Sequence, residues 1–183
     1  MALKATIFKT SLQVADMDRN HYADYPLTLA RHPSETDERM MVRLLAFALH
    51  ADEQLVFGKG LSTDEAPDLC LKDLTGAIQL WINVGQPDER WLRKASGRAR
   101  QVVAICYGGR VAEIWWEQNR AALERLQNLT VLQLAPDNTQ ALAKLANRNM
   151  ILQCTIQDGE VLITGEGDPI RIEPTFLLQS SKS

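Results

Sequence analysis

Long apolar runs are missing from this chain. No stretch approaches the about 20 apolar residues that a membrane-crossing helix needs, so no membrane partner is expected. The start, Met1-Ala2-Leu3-Lys4-Ala5, has neither a long apolar segment nor a cleavage site, and no signal peptide is read there. Cysteine is scarce. Cys70, Cys106 and Cys154 lie far apart in strand-like runs, with no CxxC spacing. An odd count makes no disulfide framework, so the expectation is three small buried thiols in a reducing, cytoplasmic compartment. His21, His32 and His50 match no metal-ligand spacing. GxSxG, HExxH and GxGxxG are absent, and Gly58-Lys59-Gly60 is too short to cradle phosphate and reads as a turn. A basic excess is also missing. Lys and Arg total 20 against 23 Asp and Glu, a formal net charge of -3, so any nucleic-acid contact must come from a local patch.

What is present is a chain of 183 residues, 45% apolar, enough for one domain with a real core. Strand formers over residues 6–14, turn chemistry at 16–20 and a return run at 25–29 predict an N-terminal hairpin. Ser34 with Asp37 three residues on suggests a capping box opening a helix to about His50. Short strands are expected at 54–57, 69–72 and 78–84, the last two joined through Leu74-Thr75-Gly76. Gly85-Gln86-Pro87-Asp88 ends the third and starts a helix to about Arg100. The apolar run 101–107 suits a buried parallel strand. A helix at 114–126, a strand at 129–134, a helix at 139–147 and a hairpin 150–156/161–163 about Asp158-Gly159 follow. The tail 180–183 is expected to fray. The order predicts an α/β fold, a mixed sheet with a parallel centre flanked by helices and hairpins at both chain ends. It reads as a single domain: hairpin 1–32, core 33–134, and C-terminal helix and hairpin 135–179.

Period-two alternation puts Asp68, Cys70 and Lys72 on one face of their strand and Gln79, Trp81 and Asn83 on one face of theirs. If those strands pair, Asp68 and Asn83 approach. Pro67-Asp68, then a strand with a second acidic position, then a lysine, is similar to the layout of metal-dependent PD-(D/E)XK nucleases. Here Asn83 stands where the second carboxylate is expected, and Gly85 stands where the lysine usually follows. The nearest later lysine is Lys94, on the next helix. Glu38, in the first turn of its helix, either lines a site or simply complements the helix dipole. Arg90, Lys94 and Arg98, spaced i, i+4, i+8 and flanked by Arg93 and Arg100, form a cationic stripe opposite Leu92, Ala95 and Ala99. That stripe suits phosphate tracking, or is a solvated face paired with neighbouring acids. Trp81, Trp91, Trp115 and Trp116 are expected in the core rather than on a base-stacking surface.

Larger blocks of the chain resemble the bacterial YaeQ family. They are Arg31-His32-Pro33-Ser34-Glu35-Thr36, Glu38-Arg39-Met40, Arg43-Leu44-Leu45-Ala46-Phe47, Pro67-Asp68, Trp81-Ile82-Asn83-Val84-Gly85, Pro87-Asp88, Lys94-Ala95, and Leu152-Gln153 with Thr155-Ile156-Gln157-Asp158-Gly159. The resemblance implies a compact variant of the PD-(D/E)XK nuclease fold with an αβββαβ core. It implies a site made of Asp68, Glu38, Lys94 and position 83, where the family usually carries glutamate. Asp68, Glu38 and Asn83 would then face a magnesium or manganese ion, and no organic cofactor is implied.

Two functions follow. One is a degenerate nuclease-like site kept as a binding or regulatory module, whose partner is a nucleic acid, met through Arg90, Arg93, Lys94 and Arg98, or a protein. The other is a divalent-metal-dependent nuclease, with Asp68 and Glu38 on the metal and Lys94 activating water. Both expect Asp68, Asn83, Lys94 and Glu38 to converge in one cleft.

Overall fold

The computed structural model describes residues 4–58 and 66–181. The chain runs β1 (Thr6–Asp16), β2 (His21–Arg31), α1 (Asp37–Leu49), β3 (Leu55–Phe57), β4 (Leu69–Lys72), β5 (Ile78–Val84), α2 (Glu89–Arg98) and β6 (Ala99–Cys106). It continues through α3 (Arg110–Leu123), β7 (Leu129–Gln133), α4 (Pro136–Lys144), β8 (Asn149–Gln157), β9 (Glu160–Thr164), β10 (Ile170–Ile172) and β11 (Thr175–Leu178). These form a mixed α/β protein whose strands make two mixed sheets, where one had been expected. The chain clusters into two compact units, Met1–Ala51 with Asp137–Pro174, and Asp52–Pro136 with Thr175–Ser183.

The first unit holds the five-stranded sheet β10-β9-β8-β1-β2. β1 and β2 form the expected hairpin, and β1 also pairs parallel with β8. Alternation buries Phe8, Thr10, Leu12, Val14 and Asp16 on one face of β1, and Met150, Leu152, Cys154 and Ile156 match them on β8. The Asp18 carboxylate accepts from the backbone N–H groups of Asp158 and Gly159 at 2.7 and 2.9 Å, tying the β1–β2 turn to the β8–β9 turn. The cap of α1 differs from expectation. Thr36 accepts from the Arg39 N–H at 3.1 Å, whereas the Ser34 hydroxyl is engaged with His32 Nδ1. Residues 40–48 are all buried, Arg43 among them. Its guanidinium makes a two-pronged pair with Glu35 at 2.6 and 3.0 Å and donates to the Ala30 carbonyl. Arg39 joins the same carboxylate at 2.6 Å. α4 begins three residues earlier than expected because Pro136 suits a first helical turn.

The second unit holds the six-stranded sheet β11-β7-β6-β5-β4-β3. β5, β6 and β7 are parallel at its centre, joined by α2 and α3, and β4, β3 and β11 are antiparallel additions. α2 and α3 bury Leu92, Ala95, Ala112, Trp115, Trp116 and Leu123 in one cluster with Trp81, Val102, Ala104 and Val131. Asn128 locks the α2–β6 corner. Its amide donates to the carbonyls of Ser96 and Ala99 at 2.9 and 3.0 Å, and its oxygen accepts from the Ser96 hydroxyl. The tail does not fray at residues 180–181: Ser181 N–H donates to Gln127 O at 2.9 Å. The expected turn at Gly58-Lys59-Gly60 lies outside the described residues except for Gly58, and the tail residues 182 and 183 do as well. Gly58 is needed where it stands, since a Cβ there would meet the Pro67 carbonyl oxygen at 2.4 Å.

Candidate functional site

The site begins with the turn between β4 and β5. Asp73 accepts from Thr75 N–H at 2.9 Å, the Thr75 hydroxyl at 2.6 Å, Ala77 N–H at 3.0 Å and the Gln79 amide at 3.0 Å. These bonds, the Thr75 hydroxyl foremost, hold the Asp73 carboxyl below its usual range. The turn sets the register Leu69↔Ile82 and Cys70↔Trp81, so Asp68 falls opposite Asn83, as alternation predicts.

Asp68 and Asn83 are both 9% exposed. Asp68 Oδ2 accepts from Val84 N–H at 2.8 Å and from Asn83 Nδ2 at 3.4 Å. Asn83 Nδ2 also donates to Ala66 O at 3.2 Å, and Asn83 Oδ1 accepts the Trp81 indole N–H at 2.7 Å. The amide therefore uses both of its ends. A carboxylate at position 83 could accept the indole proton but would place a second negative oxygen against Asp68. Gly85, at the usual lysine position, has φ +94, a conformation that strains any residue with a Cβ.

Lys94 is exposed on α2, its ammonium 4.4 Å from the centre of the Trp91 ring. The Arg98 guanidinium lies 5.3 Å from the Trp81 ring. Arg90 of the stripe pairs with Asp88, the N-cap of α2, and the flanking Arg93 pairs with Glu89, so both are matched by acids of the same helix start. Asp88 is held below the usual carboxylate range by its hydrogen bonds from Arg90. Of the four tryptophans, Trp81, Trp115 and Trp116 are buried in the core as expected, and Trp91 is half-buried. Glu38 belongs to the first unit, where its Oε2 accepts from the buried Thr139 hydroxyl at 2.9 Å. Thus the structure brings Asp68 and Asn83 into contact. Lys94 lies in the same unit over an indole, and Glu38 lies in the other unit.

Among the described residues no three His, Cys, Asp or Glu side chains are grouped so as to hold a metal ion. The three cysteines are buried and unpaired as expected, and burial pushes Cys106 up to about 11 and Cys154 up to about 12, so neither is a ready nucleophile. Sequence reasoning did not anticipate that Trp81 is tied to Asn83. Their i, i+2 spacing on one strand face was the available signal. It also missed the Glu35–Arg43 pair and Asn128, for which charge and polarity gave no hint of burial.

The chain as a whole is similar to known proteins. The YaeQ protein family model matches residues 1–174. The chain is 45% identical over 181 residues to the uncharacterized protein YaeQ of Escherichia coli strain K12, and equally to that of Salmonella typhi, covering 99% of this chain and, for the former, all of the relative. The crystal structure of the YaeQ protein from Xanthomonas axonopodis pv. citri superposes with a TM-score of 0.92 at 49% identity, covering 96% of this chain and 99% of that one. The YaeQ protein of Pseudomonas syringae gives 0.91 at 35% identity, covering 97% and 98%. With the match spanning sequence and fold almost end to end, the chain belongs to the YaeQ family of bacterial proteins.

Proposed function

We propose that this protein carries a nuclease-like site of the PD-(D/E)XK type that has become a metal-free binding module. The observation that carries this reading is the Asn83 amide. Where two carboxylates face each other they repel, and a divalent cation between them relieves the repulsion. Here an amide N–H donates to Asp68 instead, and the amide oxygen is turned toward the Trp81 indole. Asn83 thus removes the second negative charge, donates a long 3.4 Å hydrogen bond to Asp68 and acts as a strut for Trp81. The donor set fits magnesium or manganese poorly, because one carboxylate and one engaged amide offer a hard cation little anionic oxygen.

The surface of such a module that suits an anionic polymer is α2, with Arg90, Arg93, Lys94 and Arg98. Asp88 and Glu89 reduce its charge, so binding there is weak and steeply salt-dependent. The test is fluorescence anisotropy of a labelled oligonucleotide across a salt series, with either EDTA or magnesium. The expected result is binding that is indifferent to EDTA, leaves the oligonucleotide intact, and loses salt slope in an Arg90→Ala, Arg98→Ala double variant. Magnesium-dependent cleavage would overturn the reading in favour of a nuclease.

A further inference from the structure

The sheet of the second unit is only partly covered on its α2 side. Register aligns Val56, Cys70 and Trp81 in one row across β3, β4 and β5. α2 covers the Trp81 end of that row, whereas Val56 at the other end is 58% exposed. Along the strands, Ile78 pairs with Lys72 of β4 on one side and with Ala99, the residue after Arg98, on the other. With strands about 4.8 Å apart, the backbones that carry the two cations are separated by about 10 Å. Between them opens a cleft of about 540 Å³, within the range of roughly 300–1,000 Å³ common for small-molecule sites.

Its lining divides sharply. Val56, Pro67, Cys70, Ile78 and Trp81 supply an apolar floor and wall. Lys72 and Arg98 supply two positive charges, and neither has a carboxylate partner among the described residues. Asp73 also lines the cleft and brings one negative charge, its Oδ1 held by Thr75 and Ala77 and its Oδ2 by the Gln79 amide, so the two cations leave the lining with a net positive charge of one. The wall is fixed, because the Trp81 indole is held by Asn83 and covered by Arg98.

We infer that this cleft binds a small organic anion with an apolar body, the anionic group lying between Lys72 and Arg98. The inference rests on Asn83 being a strut, since a metal on Asn83 Oδ1 would withdraw the acceptor that holds Trp81.

The probe is 8-anilinonaphthalene-1-sulfonate, titrated against the folded protein by fluorescence, with circular dichroism confirming the fold of each variant. The expected result is saturable one-to-one binding that weakens with salt. Lys72→Glu and Arg98→Gln should each weaken it about tenfold, equivalent to ~1.4 kcal/mol, while Lys144→Glu in the first unit leaves it unchanged. The uncharged analogue N-phenyl-1-naphthylamine should bind at least about tenfold more weakly. Arg98 touches an indole, so if its variant unfolds, Lys72→Glu and the uncharged analogue still decide the matter. Absence of saturable binding, or binding indifferent to Lys72→Glu, would overturn the cleft. Should binding fail while wild-type protein also takes up no manganese, the cleft falls and the strut stands. One-to-one manganese uptake that displaces the probe would overturn the strut itself.

Discussion

Replacing Asn83 by Asp changes one group, the Nδ2 that now donates to Asp68 and Ala66 O, into an oxygen. At the present 3.4 Å separation the two carboxylates face each other with no N–H between them. Two unit charges that close repel by about 5 kcal/mol at an effective dielectric of about 20. The donor bonds to Asp68 and Ala66 O are lost as well. Uptake of one proton relieves part of this, leaving a net cost of about 2–4 kcal/mol near pH 8. The sign with pH is fixed. The paired carboxyls hold a proton more tightly folded than unfolded, so the folded state binds more protons and stability falls as pH rises. For a chain of this size the loss corresponds to about 4–16 °C in Tm. Urea unfolding of Asn83→Asp and wild type at pH 5 and pH 8 measures it. A variant penalty that is equal at both pH values would refute the argument that the amide keeps two like charges apart.

Other expectations follow from the same structure. Thr36→Ala should cost about 1 kcal/mol in urea unfolding, whereas Ser34→Ala should stay within about 0.5, because only Thr36 caps α1. Arg43→Met strips the main partner from the buried Glu35 and should cost about 3 kcal/mol, with Arg39 limiting the loss; adding Glu35→Gln should recover much of it. His50 is lowered to about 4, first by burial, so below its unfolded pKa of about 6.5 only the unfolded chain takes up the proton. Stability should therefore drop between about pH 6.5 and 4. The loss should be about 2 kcal/mol, below the full value for the shift because the residue is only half-buried, and His50→Gln should flatten that drop in a pH series of thermal melts.

Local signals made much of this fold legible. Leu69–Lys72 and Ile78–Val84 were readable from β-rich runs about the Asp73–Gly76 turn, and alternation alone put Asp68 opposite Asn83. What failed was non-local or degenerate. β10 and β11 are three and four residues long and gain their stability from β9 and β7, so no run of their own announces them. The division into two sheets depends on β1 pairing with β8 about 140 residues away, which periodicity does not encode. Ser34 and Thr36 are both competent caps by residue type, and only the structure shows Thr36 capping α1 while the Ser34 hydroxyl bonds His32. At the candidate site, residue types revealed the amide, but not that its oxygen would face an indole. The pairing within the stripe was half legible: Glu89 lies i, i+4 to Arg93, while Asp88 reaches Arg90 only from its capping position.

On the function proposed above, the Asn83 amide fills the place of a metal-binding carboxylate beside Asp68, and the site takes no metal. Calorimetric titration of the wild-type protein with manganese tests it most directly. The expected result is no saturable heat at millimolar metal, with a one-to-one isotherm emerging only in Asn83→Glu, where a carboxylate faces Asp68. A one-to-one isotherm in the wild type that disappears in Asp68→Asn would contradict it.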